Sequence, residues 1–574
     1  MAGLQGLEQP KSLRGHGSTI SATALTLLLA FLVVYPLFML FYGSFKGGPP
    51  YAAENFTLKG YVDAYSSLET YRTLWTTLWL GALRTVLALA LAVFLAWVVT
   101  RTDTPGKRWL EVTVWVQFFL PFQPIVMAWV LIGSPNTGFL NQAVAQLFPG
   151  HGPIVNIFSY GGIIWVSVIQ WASIMFILIT PAFRAMDAAL EDSSRISGAS
   201  GFATLRRVTL PILAPSIIGA TVLAFVKIME SFEAELFLGY SQGIRVFSTQ
   251  IYNLLYVDPP RYPQGMALST VFLLVIFALI ALQWKLLRNR QYITVTGRGY
   301  ATRPTRLGRW KYLTLALVLV YFAVGVIVPF LSLLGGSFMR LFGILVQDPW
   351  TAKHWVGVFS DPLFTRSLKN SLYIGLVSAT VGMVLYAFIG YIVTKTRFAG
   401  RKALDFLSWL PWGVPGMVLA IAFLWAYVGG GIPLARHLYG SIWLIIIVMM
   451  VKGLPLGVRV MNSSLVQLGN DLEESSRVLG ASWFYTFRRV VAPLITPAFI
   501  SAWIILFVLS VRDLVTVLLL AGTQSRPLAM LMFEYWVGGG QAEKAIVLGL
   551  IQTVVILAFA VAARIIGARR ELAS

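Results

Sequence analysis

The stretch LEDSSRISGASGFATLRRVTLP, residues 190–211, returns almost intact as LEESSRVLGASWFYTFRRVVAP at residues 472–493. Fourteen of the twenty-two positions are identical at a constant offset of 282, including Glu191/Glu473, Ser193/Ser475, Ser194/Ser476, Gly198/Gly480 and Phe202/Phe484. Shared apolarity does not produce this match, because Glu, Ser, Arg and Gly are among the identities. A duplicated polar segment signals an internal repeat. The repeat extends outward, since TLWLGALRTVLALALAVFLAWVVTRT (77–102) aligns without gaps to SLYIGLVSATVGMVLYAFIGYIVTKT (371–396), now at an offset of 294.

Composition says what is repeated. The 574 residues are 57% hydrophobic and only 12% charged, with mean hydropathy +0.75. Soluble domains carry about 25% charged residues. Stretches of roughly 20 apolar residues suit membrane-spanning helices. Twelve are predicted, near 19–42, 74–100, 111–133, 162–181, 211–238, 266–284, 312–335, 367–394, 406–428, 441–461, 493–521 and 546–563. The fold class is therefore all-α integral membrane. The chain divides into a first half (1–284), a basic linker (285–311) and a second half (312–574). Each copy of the polar repeat falls between the fourth and fifth span of its half. Such parallel placement implies halves related by an axis along the membrane normal.

With the N-terminus placed in the cytoplasm, the inner segments hold 27 Lys and Arg and the outer loops 11. Six more (Arg84, Lys227, Lys369, Lys452, Arg459, Arg512) lie within spans. The asymmetry follows the positive-inside rule and puts both termini in the cytoplasm. It also accounts for the net charge of +21 without nucleic acid. Lys11 and Arg14 precede the first span, but the apolar run is too long for a signal peptide and no cleavage site follows, so it reads as a retained span.

Several chemistries are excluded. There is no cysteine, so disulfides, thiolate metal sites and thiol nucleophiles are absent. The four histidines (His16, His151, His354, His437) are scattered and form no metal motif. No zincin helix, nucleophile elbow or phosphate-binding P-loop is present. The reading is of a transport subunit rather than an enzyme.

In each repeated loop Asp187 or Asn470 suits the N-cap of a short helix, and Glu191–Asp192 or Glu473–Glu474 the positive end of its dipole. The serine pairs let a partner approach closely, and Gly198 or Gly480 ends the helix. Phe202 and Phe484 offer aromatic anchors. Arg206–Arg207 and Arg488–Arg489 lie at headgroup level, and Pro211 and Pro493 suit the first turn of the next span.

This pattern resembles the EAA signature of permease subunits of binding-protein-dependent ABC importers. The match runs through Asp192-Ser193-Ser194, Gly198 and Val208-Thr209-Leu210-Pro211, then Glu474-Ser475-Ser476, Gly480 and Val490-Val491-Ala492-Pro493. Ser-Ser stands for the usual Ala-Ala, and Ala492 for a leucine. Two six-helix units fused head to tail are similar to the ferric-iron group of these permeases, as is the segment SVRDLVTVLLL with Gly522 and Pro527. The resemblance implies the type I importer fold, with Glu191, Asp192, Ser193, Ser194, Gly198 and Phe202 and their counterparts Glu473, Glu474, Ser475, Ser476, Gly480 and Phe484 in coupling helices. It implies two cytoplasmic ATPase subunits, which would carry ATP and Mg, and an extracytoplasmic substrate-binding protein. It implies one copy of this chain per complex, no cofactor within it, and a bacterial inner membrane. Ferric iron is the first cargo implied; thiamine, polyamines, phosphonates and other small anions are the alternatives. A secondary transporter also fits two sets of six spans, but has no use for the duplicated loop.

Ionisable residues inside spans are functional candidates. Lys227, Glu230, Glu233 and Glu235 lie in the fifth span, Lys452 in the tenth, Arg512 and Asp513 in the eleventh. The repeat offset superposes Glu230 on Arg512. Two readings are open: a pathway or gate with Glu230 and Arg512 paired across the axis, or buried ion pairs that fix helix register.

Overall fold

The computed structural model describes residues 16–52, 55–288, 304–344, 346, 348–431, 436–538 and 540–571. Most of the 285–311 linker and the start of the N-terminal segment lie outside the described residues. Among the described residues the only β-pairing is in isolated bridges. The first half contains α1 (Thr19–Ser44), α2 (Leu68–Arg101), α3 (Lys107–Phe119), α4 (Phe122–Gly133), α5 (Tyr160–Ala185), α6 (Ala188–Ile196), α7 (Gly201–Met229), α8 (Phe247–Tyr256) and α9 (Tyr262–Gln283). The second repeats them as α10 (Trp310–Ser337), α11 (Pro362–Lys395), α12 (Arg401–Gly413), α13 (Gly416–Gly429), α14 (Ile442–Gln467), α15 (Asn470–Val478), α16 (Trp483–Val511), α17 (Leu528–Val537) and α18 (Ala542–Ala562). The change of offset from 294 to 282 falls in the segment before α5, which is longer than its counterpart before α14.

Among the described residues ten helices are long and apolar enough to cross a membrane without interruption. The predicted spans 111–133 and 406–428 are not single rods. α3–α4 bends by 96° and α12–α13 by 110°. The breaks come at Pro121 and its counterpart Pro415. Proline forces the preceding residue out of the helical region, and both Leu120 (ψ 135°) and Val414 (ψ 113°) are extended. The predicted spans 211–238 and 493–521 also end early, at Met229 and Val511. There polar side chains start a new turn: the Thr516 amide donates to Asp513 Oδ1 (2.9 Å), and Ser231 Oγ donates to Glu235 Oε2 (2.6 Å).

Proline shapes the intact helices too. π-helical turns at Leu205–Thr209, Ala323–Ile327 and Phe487–Val491 each end two residues before a proline: Pro211, Pro329 and Pro493. A residue without an N–H cannot continue the i to i−4 ladder, and the widened turn absorbs the defect.

The two halves interlock through their first helices. α1 lies along α12–α13 of the opposite half as well as against α9. Tyr35 Oη donates to Gly430 O (3.1 Å), and a Cβ on Gly43 would stand 2.5 Å from the Trp425 ring. In the mirror arrangement, α10 lies along α3–α4 and α18. Tyr321 Oη donates to Ile169 O (3.0 Å), and a Cβ on Gly336 would meet Leu131 at 2.4 Å. Small residues at such crossings let helix backbones approach closely, as packing between membrane helices requires.

Candidate functional site

α2 and α11 have 34 residues each. At about 1.5 Å per residue they run roughly 50 Å, beyond the bilayer core. Their ends on the side that the basic residues assign to the cytoplasm reach the repeated loops.

Each loop folds as a nine-residue helix closed by a glycine in the left-handed region, although Asn470 is the first residue of the second helix rather than its cap. Gly198 has φ +86° and Gly480 φ +83°. The Ala189 amide donates to Asp187 Oδ1 (2.9 Å), so Asp187 caps α6. Ser200 and Ser482 cap the starts of α7 and α16 in a similar way, at 3.3 Å. The side chains of Asn470, Arg195 and Arg477 lie outside the described residues. Facing outward are Ser193, Glu474, Ser475, Phe202 and Phe484, with Ile196 and Val478 almost fully exposed. Asp192 is half-buried. Each loop thus leaves apolar side chains ringed by polar ones exposed on a segment outside the spans, the pattern of an interaction site.

Four of the named loop residues turn inward instead. Ser194 meets Thr204 (3.0 Å) and Ser476 meets Thr486 (2.9 Å), tying each helix to the next. Glu191 and Glu473 are buried. Glu191 lies 3.7 Å from Arg101 and accepts from Thr209 Oγ1 (2.7 Å). Glu473 lies 3.6 Å from Lys395 and accepts from Tyr391 Oη (2.8 Å). Helix periodicity explains the division: a nine-residue helix lying on a surface must turn one stripe toward it.

The intramembrane charges gather where α7 and α16 stop and where α3–α4 and α12–α13 break. Lys227 Nζ donates to Glu230 Oε1 (2.8 Å) and stands 5.2 Å above the Trp412 ring. The Gly416 amide, at the start of α13, is turned toward the Glu230 carboxylate. Lys452 forms an ion pair with Asp513 and donates to Thr516 Oγ1 (3.0 Å). Arg512 donates to Phe118 O (2.8 Å) and Leu120 O (3.2 Å), the carbonyls freed by the α3–α4 break. Among the described residues no three His, Asp or Glu side chains gather as a metal site.

The predicted pairing of Glu230 with Arg512 therefore does not form. Arg512 holds the carbonyls freed by the α3–α4 break, whereas Glu230 pairs with Lys227 of its own helix close to the start of α13. A helix end carries opposite partial charge at its two termini, so opposite charges serve equivalent positions. Glu235 also departs from the pathway set. It is buried against Arg84 (2.5 Å), which donates to Ser167, Ser231 and Leu80 O as well. Glu233 is half-buried among Asp513, Arg512, Lys452 and Glu235, with no ion-pair partner of its own among the described residues. Lys452, mid-span, keeps 35% of its side chain exposed. The cluster thus combines deeply placed charges with one partly exposed cation.

Comparison with known proteins decides the family. Residues 88–292 and 382–571 each match the family described as "Binding-protein-dependent transport system inner membrane component", one match per half. The chain belongs to this family. This permease is 26% identical over 509 residues to the putative ferric transport system permease protein FbpB 1 of Haemophilus influenzae, covering 88% of this chain and 78% of that protein. It is 26% identical over 556 residues to the ferric transport system permease protein FbpB of Actinobacillus pleuropneumoniae, covering 96% and 78%. The crystal structure of a bacterial alginate ABC transporter in complex with alginate pentasaccharide-bound periplasmic protein aligns at 21% identity and a TM-score of 0.41, over 49% of this chain and 97% of its own.

Sequence reasoning missed Arg84, Arg101 and Lys395 as partners of the acidic residues. Arg84 stood out as a charge within a span. Arg101 and Lys395 occupy equivalent places in the 77–102/371–396 alignment, a paired cation just where the span meets the cytoplasm.

Proposed function

We propose that this permease forms the path by which ferric iron, delivered by an extracytoplasmic binding protein, crosses a bacterial inner membrane at the expense of ATP hydrolysed on two separate cytoplasmic ATPase subunits. The observation that carries the reading is the pair of equivalent outward faces on α6 and α15. They are two similar docking surfaces at the same topological place, as a two-subunit motor requires. Cargo class rests on the relatives above, which align through both halves and are named for ferric transport. The permease supplies no resident metal site or ATP site in this reading, and one copy serves each complex because both halves are in one chain. Glu233, half-buried among charges of both halves and without an ion-pair partner of its own among the described residues, suits a transient contact with a cation in transit.

Alternating access follows from the architecture. Closure of the ATPase pair draws α6 and α15 together. The halves rock about the α1 and α10 crossings, and the charge cluster at the bent helices rearranges as the path opens outward. The test is uptake of radioactive ferric iron into vesicles holding the permease, its ATPase and its binding protein. ATP-dependent iron accumulation supports the reading. Accumulation of thiamine, a polyamine or a phosphonate in its place refutes the cargo.

A further inference from the structure

We infer that Arg101 and Lys395 are positioning residues that make each loop helix rigid with its own half, so that movement of the loop becomes movement of the spans. The inference rests on the reading of α6 and α15 as ATPase-docking helices.

Arg101 is fully buried at the end of α2. Its guanidinium donates to Phe183 O (2.5 Å) in the last turn of α5 and to Met186 O (2.6 Å) just beyond it, and faces Glu191 of α6 at 3.7 Å. Glu191 in turn accepts from Thr209 in α7. One buried node thus joins the inner ends of α2, α5, α6 and α7. The end of the linker is added to it: the Thr305 amide donates to Arg101 O (2.7 Å), and the Asp103 amide to Thr305 O (3.1 Å).

The second half rebuilds the node with different residues. Lys395 donates to Leu468 O (2.6 Å), the counterpart of Met186 O, and faces Glu473 at 3.6 Å. Val491 replaces Thr209, so Glu473 takes its hydroxyl from Tyr391 of α11 instead. The first loop helix is therefore tied forward to α7, and the second back to α11. A buried charge pair whose cation also holds backbone carbonyls and whose anion also accepts from a hydroxyl has one low-energy arrangement and resists sliding, as a force-bearing joint needs.

The absence of cysteine allows paired spin labels to test this. One pair goes just past the ends of the loop helices (Ser197 and Leu479), the other on the inner ends of the next spans (Ile212 and Leu494). Distances are measured in the complex with its ATPase, with and without a non-hydrolysable ATP analogue. With otherwise unaltered protein, both distances shift. With Glu191→Leu the loop pair still shifts, while the span pair shifts less, by roughly 2-fold or more. Arg101→Lys keeps both shifts, because lysine does the same work at position 395. Glu473→Leu changes the span pair less than Glu191→Leu does. If Glu191→Leu leaves the span shift intact, or abolishes both shifts together, the positioning role is wrong. If neither pair shifts in the unaltered complex, the docking reading itself fails instead. Should Glu191→Leu not fold, Glu191→Gln with Thr209→Val removes the charge and the hydroxyl link at nearly constant volume, with the same expectation.

Discussion

Replacing Glu235 separates a structural charge from a pathway charge. Glu235 and Arg84 have side chains 0% and 1% exposed and lie 2.5 Å apart. Removing one member of such a pair leaves the other buried and uncompensated, at a cost of about 3–5 kcal/mol. Glu235→Gln and Arg84→Met are each expected to reduce stability by that order, read as a lower thermal midpoint in detergent. The double variant Arg84→Met with Glu235→Leu removes both charges and approximately keeps the volume. Replacing a whole buried pair by apolar groups is often neutral. The double variant is thus expected to recover most of the loss, with a coupling energy above about 2 kcal/mol. The informative assay is transport by that double variant in vesicles at matched protein density. Recovery of uptake along with stability is the expected result. A double variant that folds as well as the unaltered protein yet transports nothing would show that Glu235 meets the cargo, and would refute the assignment of this pair to the scaffold.

Other perturbations follow the same logic. Arg512→Met removes two charge-assisted hydrogen bonds at the α3–α4 break, each worth about 1.5–3 kcal/mol, and is expected to lower transport. The reversal Glu230→Arg with Arg512→Glu is expected to give no rescue, because the two residues have different partners; a strong rescue in a double-mutant cycle contradicts that placement. Gly480→Val forces a β-branched residue to φ +83°, a strain of order 1–3 kcal/mol, and is expected to misshape the outward face and loosen ATPase capture in a pull-down. Glu474→Lys reverses an exposed charge on that face and is expected to weaken the same capture without changing the thermal midpoint; unchanged capture at low salt removes Glu474 from the docking surface. Gly457→Ala places a Cβ 2.0 Å from the Tyr386 ring and is expected to separate α11 from α14, seen as loss of the monodisperse peak in size exclusion.

The broad plan was legible because it rests on signals that survive in one dimension. Apolar runs marked the spans, lysine and arginine marked their orientation, and the Ser-Ser and Gly identities at a fixed offset marked the two loops. Gly198 and Gly480 read correctly as terminators because only a residue without a side chain takes the left-handed region freely. The bends were less legible. Pro121 and Pro415 were visible, but prolines also sit inside unbroken helices such as α5, at Pro181, and α14, at Pro455. Whether a proline breaks or only bends its helix depends on what accepts the freed backbone groups, and the partner at the α3–α4 break, Arg512, lies in the other half. The charge cluster was found residue by residue but paired wrongly for the same reason. Sequence symmetry related Glu230 to Arg512, whereas Arg512 binds backbone carbonyls that no side-chain pattern reports and Glu230 pairs with its near neighbour Lys227. Glu191 and Glu473 read as acids suited to a helix dipole, and only the folded structure shows them buried against Arg101 and Lys395.

The exchange of first helices has a mechanical corollary. With α1 strapped across the second six-helix body and α10 across the first, the bodies are braced like two planks in a folding trestle, free to tilt but not to part. Cleaving the chain between 285 and 311 would leave two pieces still clasped, and the pore would open by tilting about those braces rather than by the pieces drawing apart.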